Sequence, residues 1–290
     1  MKSLKTLKSM NKIVYVSDFF LKEIVGGGEL NDNEVLKNLS KRNVEITLFK
    51  SAELTVPILK NLGDNFFIVS NFCLLSKDCV DFLTQHCRYM IYEHDHKYLI
   101  NRNPAAYPDY TAPQEKIINK DFYANAVSVF CQSSLHKEIV EKNLHIKNIY
   151  NVSGNFWSDE VLSMLERLSL TDKRDCVSIM NSNNWHKNTL ETVKYCKLKK
   201  IPYDLIPSAP YDEFLFNLSK NKKLMFFPKT PETLSRICVE ARMMNMSVIA
   251  NKNVGATYED WFSLKQGRLI EFMKNKKKDV TDHIVRIINE

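Results

Sequence analysis

Glycine is scarce in this chain, with seven in 290 residues, and three of the seven stand together as Gly26, Gly27 and Gly28. They do not form a dinucleotide fingerprint, because Asn31 stands where the third glycine of G-x-G-x-x-G would fall, and no Gly-Lys-Ser/Thr follows to make a Walker loop. No apolar run approaches the ~20 residues that cross a bilayer. The first twelve residues alternate lysine with leucine and serine and lack the apolar core of a leader, so a cytoplasmic protein without a transmembrane segment is expected. The seven cysteines contain no C-x-x-C pair and fall mostly in apolar surroundings, which points to buried, reduced thiols. Ser-His-Asp order, H-E-x-x-H, zinc-finger and RNP-like patterns are all absent. Residues 1–160 also lack any charge excess, holding 19 basic and 19 acidic side chains, so the net +7 belongs to residues 161–290. A basic second half suits a bound diphosphate, and it admits membrane-surface or nucleic-acid contact without requiring either. The run Lys274, Lys276, Lys277, Lys278 reads as a solvated segment.

What is present is a regular alternation of short β-like runs with helical patterns. Strands are expected at 12–20, 44–49, 66–70, 89–92, 127–131 and 148–152. Helices fall between them at about 31–42, 56–61, 77–86, 115–123 and 134–142. The rhythm pauses near Gly154 and Asn155, passes through a helical piece at 159–168, and restarts at Val177. Strands follow at 177–180, 203–206, 224–227 and 247–250, with helices at 189–198, 212–218, 258–262 and about 280–288. Strands separated by helices argue for parallel sheets covered on both faces. We therefore expect an α/β chain of two Rossmann-like domains facing across a cleft, divided as 1–157 and 158–290, with ligands beyond the carboxyl ends of the strands.

Four features lie at such ends. Gly26, Gly27 and Gly28 follow the first strand and precede the first helix, where backbone can approach a phosphate or sugar closely. The loop after the fourth strand reads Glu93, His94, Asp95, His96, Lys97, with Arg102 beyond it. His94 and His96 have no distant Cys or His cluster to complete a metal set, so no metal is expected. Lys187 with Asn188 opens the first helix of the second half, a poor place for a cation unless an anion sits there. Glu232 and Glu240 lie eight positions apart, about 12 Å along the axis if both were helical, and flank a helix start at Thr233–Ser235. Two carboxylates so placed can hold two parts of one elongated ligand with a phosphate between them.

Glu232 and Glu240, with seven residues between them in a strand-loop-helix unit closed by Gly255, resemble the Glu-x7-Glu motif of retaining glycosyltransferases of GT-B architecture, the glycosyltransferase group 1, family 4-like enzymes. The glycine loop, the loop after the fourth strand, Lys187, the glutamate pair and Gly255 occur in that family's order. The family usually shows Glu-Pro-aromatic-Gly where this chain has Glu232, Thr233, Leu234, Ser235, and an arginine near Asn183 or Asn184 that is missing here. Serine is a good N-cap, able to serve the helix end by its hydroxyl. The resemblance implies sugar transfer from a nucleotide-diphosphate donor with retention of configuration and with no metal or other cofactor. It implies that Glu232 bonds the sugar hydroxyls and Glu240 the donor ribose. Lys187, Gly26, Gly27, Gly28 and the N–H groups of Leu234 and Ser235 would steady the diphosphate. Asp95 or His94 would contact the sugar near its reacting carbon, and Arg102 would lie on the acceptor side. The acceptor is left open among glycan, lipid-linked and DNA molecules. A transferase acting on modified DNA bases and a non-catalytic nucleotide-sugar-binding protein are the alternatives.

Overall fold

A computed structural model describes residues 11–290; the lysine-rich first ten residues lie outside the described part. The first sheet takes its strands in the order β2-β1-β3-β4-β5-β6, all parallel: β1 (Asn11–Ser17), β2 (Val44–Lys50), β3 (Phe66–Val69), β4 (Tyr89–Tyr92), β5 (Val129–Cys131) and β6 (Ile149–Asn151). The runs FFIV of β3 and YMIY of β4 are buried throughout, as parallel strands covered on both faces must be. Side-chain alternation divides the packing between two cores. Val14 and Val16 face one, and Ile13 and Tyr15 face the other. Between the strands run α1 (Gly27–Ser40), α2 (Val56–Leu62), α3 (Lys77–His86), α4 (Lys120–Asn125) and α5 (Ser134–Leu144). Several helix starts are capped by hydroxyls: Thr55, Ser76 and Ser133 accept from the N–H groups of Ile58, Cys79 and His136.

After α6 (Asp159–Ser169) the second sheet runs β10-β9-β7-β8, again parallel. It is built from β7 (Arg174–Met180), β8 (Tyr203–Ile206), β9 (Asn221–Phe226) and β10 (Ser247–Ala250), with α7 (Thr189–Lys199), α8 (Tyr211–Ser219) and α9 (Arg236–Met243) between them. Its main core gathers Leu224, Phe226, Leu234, Cys238, Val239 and Met243. The chain ends in α10 (Gln266–Asn289).

In each sheet the chain moves first to one side of its opening strand and then to the other. That creates switch points between β1 and β3 and between β7 and β9, the places where open α/β sheets bind ligands.

Four expectations are corrected. The terminal helix is 24 residues long, not confined to 280–288. Its first part packs Leu269, Ile270 and Met273 into the second core, and its last part carries Val280, Ile284 and Ile287 back onto the first sheet. Lys277 lies in the middle and is buried, donating to the Trp157 carbonyl at 3.0 Å and to Asp159 at 2.8 Å, so the lysine run is not a wholly solvated segment. The helix expected at 115–123 is broken, because Ile100 and Ile118 pair their N–H groups with the carbonyls of Lys116 and Tyr98, and α4 starts only at Lys120. The helix expected at 258–262 is two short 3-10 turns, Gly255–Tyr258 and Asp260–Ser263, separated at Glu259. The Glu259 carboxylate is taken up by the Ser134 N–H and the Ser153 hydroxyl of the first unit.

Candidate functional site between the two sheets

At the second switch point the loops after β7 and β9 bring Lys187 and Glu232 together, with Nζ 2.7 Å from Oε1. Lys187 ends a 3-10 turn, Trp185–Lys187, held because the Asn184 side chain accepts from the His186 N–H. Glu232 is fixed by its backbone: its N–H donates to Asn253 and its carbonyl accepts from Gly255, which joins the loop to the chain beyond β10. Gly255 is required there, because a Cβ would lie 2.4 Å from both the Thr233 carbonyl and the Ser133 hydroxyl. The two side chains stay partly open, 30% exposed for Lys187 and 17% for Glu232, so an entering ligand can part them.

The expected helix start is there, one residue later, with α9 beginning at Arg236. Ser235 does not cap it through its hydroxyl. It takes φ 77°, the left-handed conformation that glycine adopts most easily, and makes no side-chain cap bond. The serine thus replaces a glycine by bearing backbone strain rather than by offering an oxygen.

Glu240 lies one to two turns into α9 and faces inward. It is 2% exposed, accepts from Trp157 Nε1 at 2.9 Å and from the Tyr211 hydroxyl, and has Arg236 Nε at 3.5 Å. Glu232 and Glu240 therefore occupy different environments: one carboxylate lines the cleft, and the other is enclosed in the second core.

The first unit meets this loop directly. Thr233 Oγ1 donates to the His94 carbonyl at 2.9 Å, and the Ser133 hydroxyl donates to the Thr233 carbonyl at 2.6 Å. Gly26 is the N-cap of α1, and Gly27 and Gly28 begin the helix. A Cβ on Gly28 would sit 3.5 Å from the His94 ring and from Asn71, ordinary contact distance, so the start of α1 lies directly against His94. His94 is held from both sides. Asp32 lies 2.6 Å from Nε2 and the Gln132 side-chain nitrogen 2.7 Å from Nδ1. With the amide donating to Nδ1, the ring proton faces Asp32 from Nε2. Ser70 completes this group by donating to the other Asp32 oxygen.

Asp95 points elsewhere, pairing with Lys97 at 2.7 Å and with Arg102 at 3.2 Å. Burial pushes its pKa up, but the two cations outweigh burial and hold the carboxyl below the ordinary range. Glu93 is buried beneath it with Lys97 and the Tyr123 hydroxyl, and burial pushes its pKa up against the pull of Lys97. Arg102 is half exposed and also donates to Cys73 Sγ at 3.2 Å. It stands at the edge of a cavity of about 790 Å³ between α3 and the loop after β4, lined in part by Phe72, Leu75, Ile100, Ile118 and Lys120. Among the described residues no group of three or more His, Cys, Asp or Glu side chains could hold a metal ion, and no helix is long and apolar enough to cross a membrane.

His94, Thr233, Glu232, Lys187 and the α1 and α9 starts thus converge, whereas Asp95 and Arg102 form a separate ionic group beside the cavity. Sequence inspection passed over Asp32, Gln132, Trp157, Tyr211 and Arg236. Their hydrogen-bond partners lie 29 to 83 positions away, so no local pattern marks them.

Two further buried histidines make stability depend on pH. His96 and His136 stack edge to face 5.1 Å apart, and each leaves Nε2 without a hydrogen-bond partner. Burial pushes His96 down to about 4 against the opposing pull of Asp95, and it lowers His136 as well. The unfolded chain takes up these protons near pH 6.5 while the folded chain refuses them, so this stability is complete above that pH and is lost as the pH falls through about 4. His96 alone should cost about 2 kcal/mol at pH 5 relative to neutral pH. Urea unfolding midpoints at pH 7.5 and 5.0 measure the effect, and equal midpoints would refute it.

No protein-family profile matches the sequence, and no curated protein matches it. Solved structures do match. The catalytic domain of starch synthase IV from Arabidopsis thaliana, bound to ADP and acarbose, is 8% identical, with 97% of this chain and 99% of that chain covered at a TM-score of 0.59. Sucrose-phosphate synthase from Thermosynechococcus elongatus is 11% identical over 84% and 82%, also at 0.59. HepE from Anabaena, in complex with UDP and glucose, is 12% identical over 94% and 90% at 0.51. The chain has the fold these structures share, GT-B, with two Rossmann-like α/β units facing across a cleft.

Proposed function

We propose that the chain is a glycosyltransferase that takes a sugar from a nucleotide-diphosphate donor and transfers it with retention of configuration. The observation that carries this reading is the Lys187–Glu232 pair at the switch point of the second sheet, beside the start of α9 and facing the glycine-built start of α1. Exposed N–H groups at two helix starts and one lysine suit a diphosphate leaving group, and preorganised donors on a leaving group supply a large part of such catalysis. On binding, Lys187 turns from Glu232 to the phosphates, and Glu232 is freed to accept from the sugar hydroxyls. His94, fixed between Asp32 and Gln132, offers a rigid wall near the reacting carbon, with Asp95 the alternative there. Residues 1–157 form the acceptor side, with Arg102 at the cavity mouth, and residues 158–290 the donor side. No metal or other cofactor takes part in this scheme. The seven free cysteines fit a reducing, cytoplasmic setting.

The enclosed position of Glu240 favours one second reading, a protein that binds a nucleotide sugar without turning it over. Thermal unfolding with UDP-, GDP-, ADP- and CMP-sugars tests the donor. A ligand at 100 times its Kd stabilises by about 2.7 kcal/mol, a rise of roughly 4–5 °C for a chain of this size. No rise with any of them would sink both readings.

A further inference from the structure

Arg236 is the first residue of α9 and belongs to neither the expected motif nor the Lys187–Glu232 pair. Its side chain is only 10% exposed, and its one close hydrogen bond runs from Nη1 to the Phe156 carbonyl at 2.7 Å, with the Tyr211 hydroxyl also beside it. Nε has no hydrogen-bond partner, since Glu240 at 3.5 Å lies outside bonding geometry. A guanidinium carries five N–H donors, and buried donors are almost always satisfied.

Its position sharpens the anomaly. The guanidinium carbon stacks 4.4 Å from the centre of the Trp157 ring, which fixes its plane. Its Cδ lies 3.4 Å from where a Cβ of Gly27 would stand, so the side chain reaches the start of α1. The cap residues Gly26 and Ser235 give the first N–H groups of α1 and α9 no side-chain bond, unlike Thr55, Ser76 and Ser133 at their helices, although in the first turn of α1 Glu29 turns its carboxylate onto its own N–H. A cation is therefore held where the positive ends of two helices meet, with the Glu240 carboxylate at 3.5 Å as its counter-charge, and its remaining donors suit an anion with several acceptor oxygens.

We propose that Arg236 is a phosphate ligand, holding a diphosphate between the starts of α1 and α9 and taking the place of the arginine missing near Asn183. That the diphosphate belongs to a nucleotide rests on the transferase reading. The geometry itself asks only for a polyphosphate anion.

Isothermal titration of inorganic pyrophosphate, UDP, ADP and GDP into the wild type, Arg236→Gln and Arg236→Lys tests this. The wild type is expected to bind pyrophosphate and at least one of the nucleotides. Arg236→Gln should weaken both by about tenfold to a hundredfold, the worth of one or two charge-assisted hydrogen bonds. Arg236→Lys should lose several-fold, because an ammonium cannot reproduce the planar fork; it carries the comparison if the glutamine variant fails to fold. Unchanged affinities in both variants would overturn the inference and leave the transferase reading standing. Arg236-dependent pyrophosphate binding without any nucleotide binding would keep the inference and overturn that reading. A wild type that binds none of the four anions overturns both.

Discussion

Glu232→Gln is expected to reduce sugar transfer by about a hundredfold to a thousandfold while leaving the fold and nucleotide affinity nearly unchanged. The carboxylate is partly open to the cleft, and its backbone, not its side chain, holds the loop through Asn253 and Gly255. Its one strong side-chain partner is Lys187, and a half-open ion pair contributes at most about 1 kcal/mol to stability. Replacing it by the isosteric amide therefore shifts the unfolding temperature by only a few degrees. In the proposed scheme the charged oxygen tightens on the sugar hydroxyls as positive character develops at the reacting carbon, a gain made only in the transition state. A loss confined to kcat, with the nucleotide Kd within a few-fold of the wild type, is the signature. Donor hydrolysis without an acceptor should fall in parallel, which lets the experiment proceed before the acceptor is identified. If the variant transfers and hydrolyses as the wild type does, Glu232 is not part of the reaction. If neither protein consumes any nucleotide sugar and both bind one equally, the chain is a binding protein.

The two-sheet architecture was legible because parallel strands covered on both faces are written as short apolar runs, such as Phe66–Val69 and Tyr89–Tyr92. The long C-terminal helix was not. Its core contacts come from two separate stripes, Leu269–Met273 and Val280–Ile288, that pack on different sheets, with lysines between them masking the period. At the site, the spacing of Glu232, Glu240 and Lys187 was visible, and the pairing of Lys187 with Glu232 follows from their places beside one switch point. The environments of Glu240 and His94 were hidden, since they are made by Trp157 and Tyr211 and by Asp32 and Gln132, brought in from other elements. Ser235 misled for a local reason. Serine signals an N-cap hydroxyl by frequency, but the turn needs a positive φ, and backbone geometry prevails over the side-chain preference.

Glu240→Ala, by contrast, is expected to act first on stability. The carboxylate is the acceptor for Trp157 Nε1 and the Tyr211 hydroxyl, and it is the nearest counter-charge to Arg236. Truncation leaves two buried donors and a buried guanidinium without it, a loss of about 3–5 kcal/mol. For a chain of this length that corresponds to roughly 5–8 °C in unfolding temperature. All four residues sit in or against the second core, so if the two units melt separately the higher loss falls on the unit containing α8 and α9. Tryptophan fluorescence follows that transition, since Trp157, Trp185 and Trp261 all lie in or against the second unit. Glu240→Gln separates the structural role from the ligand role, because the amide oxygen can still accept from Trp157 or Tyr211 and the substitution costs about a third as much on the neutral hydrogen-bond scale of ~1 kcal/mol. If Glu240 also binds the donor ribose, Glu240→Gln weakens nucleotide binding out of proportion to its small effect on stability, and Tyr211→Phe, which frees one carboxylate position, strengthens it. If the carboxylate serves only the core, affinity in both variants follows stability, and an unchanged Kd in a well-folded Glu240→Gln protein would remove Glu240 from the donor site.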